Sequence, residues 1–255
     1  MTITCKNCHQ DYIGNFCNHC GQPAETHEMS IHFVWHDIQH GLLHMDKGIL
    51  FTTKELFTRP GHTIREFING KRVKHFKPIS FVLVLAGVYG FLYHYFDISL
   101  LADKVTVYGS TKEVNDYKRI LENVNGWVVS HYAVVVLVQL PIYALGTFIA
   151  FGKSSYNYVE HLVLNAFITG QKLILNIAVF PLIYLYNKTH ALKQIDGFVN
   201  LIVFGLAIWT LLQFFNDQPW KKTFARALLS YFIFFVVYYS IISLIGLYIV
   251  NSYHL

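Results

Sequence analysis

The chain has 255 residues, 54% of them apolar and only 14% charged, with a formal net charge of +5. Soluble domains carry about 25% charged residues, so this balance excludes an ordinary soluble fold and belongs to a membrane protein. The positive charge lies mostly before the first long apolar run, so it bears on topology, and no nucleic-acid partner is expected.

The N-terminal stretch, residues 1–28, is polar and cysteine-rich, so it reads as no cleavable signal peptide, and the first apolar run must act as the insertion signal. It contains Cys5-x2-Cys8-x8-Cys17-x2-Cys20. Paired Cys-x2-Cys turns each present two sulfurs from one tight knuckle, and two such pairs read as a tetrahedral structural Zn2+ site. Gly14 and Asn15 can turn the chain between the pairs, and Gly21 supplies flexibility after Cys20. His9 and His19 are surplus to a four-thiolate set. A closed four-cysteine site leaves no position for substrate, so residues 1–26 are read as a folded ribbon that presents a surface to a partner.

Residues 27–78 read as juxtamembrane helices. Over 30–45 the apolar Ile31, Val34, Trp35, Ile38, Leu42 and Met45 share a stripe, opposite His32, His36, His40 and His44. That pattern suits an amphipathic helix on a membrane surface, and the spacing of the imidazoles also leaves a metal-binding or pH-sensing edge open. A short helix over 50–57 is expected to stop at Pro60-Gly61, with another turn or two over 62–69. Lys71, Arg72, Lys74 and Lys77 then lie where anionic lipid headgroups would be, although such a cluster ordinarily sets topology alone.

Residues 79–255 read as an all-α transmembrane bundle of five spans, 79–96, 127–151, 158–186, 198–215 and 226–250, each long enough to cross about 30 Å of hydrocarbon. The loop over 97–126 holds a charged stretch, 112–123, suited to a short surface helix. With the N-terminus inside, thirteen Lys and Arg fall on inner segments and six on outer ones. The expected placement is therefore the inner membrane, N-terminus cytoplasmic and C-terminus periplasmic.

The third span is polar along one side. His161, Asn165, Thr169, Lys172 and Asn176 fall within about 80° on a helix. Such a face must look into the bundle or a wet cavity. It is read either as interhelical hydrogen bonding, with His131, Gln139 and Gln213 as partners, or as a ligand pocket or path with Glu160 and His161 at its mouth. A helix break at Thr169-Gly170 is a third option. No His-Glu-x2-His, Gly-x-Ser-x-Gly, P-loop or Rossmann glycine pattern is present, so no enzyme is expected and no catalytic residue is assigned.

Cys20-Gly21-Gln22 closes the ribbon; Thr53, Leu56, Arg59-Pro60-Gly61, Gly70-Lys71-Arg72, Pro78 and Tyr158-Val159-Glu160-His161-Leu162 follow it. In these residues the chain resembles uncharacterised bacterial multi-pass membrane proteins, frequent in the Bacteroidota, that join such a ribbon to several spans. The resemblance implies a domain of unknown function and no assigned activity. The chain departs from the pattern where His9, in place of the usual glycine, follows Cys8. The function expected is that of a non-enzymatic membrane protein whose zinc ribbon acts as an adaptor or scaffold. Its expected partners are membrane lipid and either other proteins or further copies of itself; the alternative is a small transporter or channel along the third span.

Overall fold

A computed structural model describes residues 2–24, 29–31, 48–98, 111–187 and 189–253. The histidine face at His32, His36, His40 and His44 lies outside the described residues. The ribbon contains a two-stranded antiparallel sheet, β1 (Ile3–Thr4) and β2 (Asp11–Tyr12), paired Ile3 with Tyr12 and Thr4 with Asp11. Among the described residues eight helices follow: α1 (Gly48–Thr58), α2 (Pro60–Ile68), α3 (Pro78–Tyr95), α4 (Thr111–Ser130), α5 (Tyr132–Ala150), α6 (Tyr158–Leu185), α7 (His190–Phe214) and α8 (Trp220–Tyr253).

Five of these helices, α3 and α5 to α8, are long and apolar enough to cross a membrane, so the chain is a multi-pass membrane protein. Three span starts differ from the sequence reading, one of them that of α8, which begins at Trp220 and not at 226. The second span begins at Tyr132 and not at 127, because the chain leaves helical geometry at His131, and Trp127 lies in the last turn of α4 with its ring stacked on His131. α7 begins at His190 and not at 198: hydropathy dismisses Lys193 and Asp196, yet both are compatible with a helix that starts before the apolar run.

α6 is central and packs on α3, α5 and α7 as well as on the two short helices before the spans. It runs parallel to α3, since Phe167 meets Phe81 near one end, Phe180 meets Tyr93, and Tyr184 meets Phe96 near the other. It passes unbroken through Thr169-Gly170. Gly170 is needed there for proximity, because a Cβ would lie 2.5 Å from the Phe81 ring. Gly146 likewise lets α5 approach the Ser230 carbonyl of α8. The first turns of α6 extend past the start of α3, and α1 and α2 fill the space beside them, with Phe67 edge-on to Phe167 at 5.2 Å.

The α1–α2 hairpin (hereafter the neck) explains the residues that stood out in the sequence. Pro60 does not merely stop a helix: it is the first residue of α2, where its missing N–H is tolerated. The bend at Arg59 orphans two backbone groups. Leu56 O has no donor four residues on, because residue 60 is proline, and it accepts instead from Gln171 Nε2 of α6 at 2.8 Å. Gly61 N donates to Gln213 Oε1 of α7 at 3.2 Å. A Cβ on Gly61 would overlap the backbone at Gln213 and Phe214. Arg65 donates to the last carbonyls of α7, Gln213 O at 2.5 Å and Phe214 O at 2.8 Å, placing its charge at the negative end of that helix. Arg59 pairs with Glu55 and Glu66, and Lys71 also reaches Glu66. Burial alone would raise the Glu66 carboxyl, but Arg59 and then Lys71 hold it below the usual carboxylate range. Gly70, at φ 106°, closes α2 with Gly70 N to Phe67 O and Lys71 N to Glu66 O, a Schellman ending.

Candidate functional site

In the ribbon, each Cys-x2-Cys pair builds the same knuckle. Cys5 N donates to Gln10 O and His9 N to Cys5 O; Cys17 N donates to Gln22 O and Gly21 N to Cys17 O. The residue after each second cysteine is left-handed, Gly21 at φ 74° and His9 at φ 61°. His9 therefore occupies a glycine position at a modest conformational cost and without disturbing the knuckle.

The knuckles face one another, with Cys5 Sγ 3.5 Å from Cys20 Sγ and Cys8 Sγ 3.5 Å from Cys17 Sγ. All four sulfurs lie within 4.8 Å of one another and none forms a disulfide. Metal–sulfur bonds of about 2.3 Å in a tetrahedron separate the sulfurs by about 3.8 Å, so the set fits one metal ion shared between both knuckles. Cys5 and Cys17 are buried, and Asn7 N points at Cys5 Sγ from 3.4 Å, a donor suited to a thiolate. The Cys20 thiol is lowered to about 6, chiefly by the Asn7 side chain. The Gln10 backbone would lower Cys8 too, but burial and then Cys17, Cys20 and Cys5 push it up to about 12. Four thiolates this close repel one another unless a cation sits among them. His9 and His19 are not part of the cluster.

The ribbon is tied to the neck. Gln22, 2% exposed, accepts from Arg72 N at 3.4 Å. Arg72 in turn donates to Phe67 O and lies 5.6 Å over the Phe67 ring. The Cys-Gly-Gln and Gly-Lys-Arg motifs thus meet in space. Lys71 and Arg72 are engaged within the protein, whereas Lys74 is exposed and Lys77 half-buried.

The polar face of α6 is divided. Glu160 forms a capping box, accepting from Asn157 N at 2.7 Å while Glu160 N donates to Asn157 Oδ1. His161, 1% exposed, contacts Thr147 Oγ1 through Nδ1 and lies between Phe148 and Phe215; its Nε2 has no hydrogen-bond partner among the described residues. Asn165 donates to Thr147 Oγ1 and to His161 O, both at 2.8 Å. Beyond this layer Asn165, Thr169 and Lys172 line a cavity of about 370 Å³ with Gln139, Asn200 and three tyrosines. Asn176 is half-buried and does not line it. Among the described residues the His131 side chain bonds only within its own turn, to Trp127 O, and Gln213 serves the neck. Gln171, next to Lys172, is the position that the polar-stripe pattern overlooks; its burial in a span and the proline four residues after Leu56 are the signals that could have found it.

Fold and site together define a multi-pass membrane protein with an N-terminal cysteine cluster able to hold a metal ion. A family described as "Protein of unknown function (DUF3667)" matches residues 46–90, which comprise the neck and most of α3 and stop short of the ribbon. No curated protein and no solved structure matches the chain.

Proposed function

We propose that the chain is a non-enzymatic inner-membrane protein whose zinc-loaded ribbon, on the cytoplasmic side, is an adaptor for a protein partner. The observation that carries this reading is the closed four-sulfur set. A tetrahedral ion held by Cys5, Cys8, Cys17 and Cys20 keeps no coordination position for substrate or water, so it serves to fold a surface. That surface presents Ile13, 74% exposed, and Phe16, 63% exposed, on a body held to the neck through Gln22. Exposed apolar side chains on a small rigid head suit a recognition surface. The excess of Lys and Arg on the ribbon side of the first span supports the cytoplasmic orientation.

The test is co-purification after crosslinking of the full chain in membranes, with metal content read by elemental analysis. One zinc per chain is expected, and a specific partner that is lost with Cys5→Ser plus Cys8→Ser. The partner should also be lost with Ile13→Ser plus Phe16→Ser, a variant that keeps its zinc. Association that survives zinc removal would count against the adaptor role, and labelling of ribbon thiols from the periplasm would overturn the orientation.

A further inference from the structure

A cavity of about 370 Å³, in the range of small-molecule sites, lies between α5, α6, α7 and α8. Lys172, its charged lining residue, is engaged within the protein, and both Asn165 side-chain N–H groups are donated, to Thr147 and to the His161 carbonyl. The polar groups left over are neutral. Gln139, Tyr143 and Tyr231 line the cavity, and among the described residues neither the amide nor the two hydroxyls hydrogen-bond within the protein. Gln139 and Tyr143 stand one turn apart on α5, about 6 Å along its axis. Tyr143 and Phe204 both lie edge-on to Tyr231, with centroids 6.5 and 5.0 Å away, so one wall is aromatic.

The exposed lining residues are Asn200 of α7 and Phe235 of α8, so the mouth lies between two spans and opens sideways to lipid. Measured along each lining helix from the end nearer the neck, Gln139, Thr169, Asn200 and Phe235 lie about 16 to 23 Å in, near mid-bilayer. Towards the neck the cavity is closed. Thr147 and Asn165 bond across it, His161 fills the next layer between Phe148 and Phe215, and the adjoining void is about 10 Å³, at most one water. A blind chamber with a lateral mouth is built to hold a molecule that arrives through the hydrocarbon.

We infer that this chamber binds the ring of an isoprenoid quinone, with its carbonyls accepting from Gln139, Tyr143 and Tyr231 and its chain leaving between Asn200 and Phe235. An unsatisfied polar group costs several kcal/mol in hydrocarbon, so these donors favour an occupant that brings acceptors. An acyl chain alone would leave them unmet. A quinone is neutral and dissolves at mid-bilayer, whereas a phospholipid headgroup stays ionised at the interface. Its carbonyl oxygens match amide and phenol donors, and its flat ring suits the aromatic wall.

The test titrates full-length, delipidated protein in non-ionic detergent with 2,3-dimethyl-1,4-naphthoquinone, whose fully substituted ring does not add to the ribbon thiols. The control ligand is 2,3-dimethylnaphthalene, which lacks the carbonyls. Saturable binding of one quinone is expected, with the hydrocarbon weaker by at least about tenfold, the margin of two neutral hydrogen bonds. Gln139→Leu combined with Tyr143→Phe and Tyr231→Phe keeps the ring contacts and should bring the quinone down to the hydrocarbon's level. Asn200→Trp, at an exposed position, should block both ligands while leaving the fold unchanged. Equal binding of the two ligands, a quinone preference that the triple variant keeps, binding that Asn200→Trp leaves intact, or no saturable binding would each overturn the inference.

Discussion

Replacing Gln171 by leucine tests how the neck is held to the spans. Gln171 is 1% exposed and reaches two elements at once: Nε2 donates to Leu56 O at 2.8 Å, and Oε1 accepts from Thr210 at 3.2 Å. The two bonds differ in worth. Thr210 can return its proton to Leu206 O, 2.9 Å away in its own helix, so that loss is near the average of about 0.6 kcal/mol measured for hydrogen bonds between membrane helices. Leu56 O has no such fallback, because residue 60 is proline, and an orphaned buried carbonyl costs about 1–3 kcal/mol. Gln171→Leu should therefore destabilise the protein by about 2–3 kcal/mol, and Thr210→Val by well under 1 kcal/mol. The measurement is equilibrium unfolding in mixed micelles, followed by circular dichroism against the mole fraction of SDS. The two changes should be sub-additive, since they share one bond. A loss below about 0.5 kcal/mol for Gln171→Leu would refute the claim that this side chain completes the bend in the neck.

Two further outcomes follow from the same packing. His75 lies against the rings of Phe51 and Phe67, and burial lowers it to about 4, only partly opposed by Glu55 and Glu66. An unfolded histidine binds its proton near 6.5, so acid favours the unfolded chain: stability is full above that pH and declines toward 4, by on the order of 3 kcal/mol. His75→Leu should flatten this window in acid-unfolding curves, and an unchanged slope would refute the assignment. Gly61→Ala, which places a methyl against the α7 backbone, should cost about 1–3 kcal/mol, while Gly197→Ala, with open space around it, should be neutral or stabilising by up to about 1 kcal/mol. Equal melting temperatures for the two variants would contradict the close approach of α2 to α7.

Much of the architecture was legible in the sequence because it is written in local signals. Four cysteines at knuckle spacing and five apolar runs need no knowledge of what they pack against. The periodicity of the third span likewise predicted one polar face from residue spacing alone. What that spacing could not show was its division into a cap, a packed layer and a cavity, because Thr147, Phe148 and Phe215 come from elsewhere in the chain. Glu160 and His161 are adjacent in sequence, yet the first closes a helix end and the second sits in a packed aromatic layer. The start of α7 was missed because hydropathy registers lipid and not helix, and Gln171 because its meaning depends on Pro60, more than a hundred residues away.

The bend at Arg59 has a consequence for how this chain is divided. Its two unmet backbone groups are answered by glutamines from spans that follow later in the polypeptide, and Arg65 in return finishes one of those spans. The segment 46–90, coherent as a unit of sequence comparison, is therefore not self-sufficient as a unit of folding. During synthesis the neck must wait for α6 and α7 to insert before its last hydrogen bonds can close, so the head that it carries gains a fixed seat only when the membrane half is nearly complete.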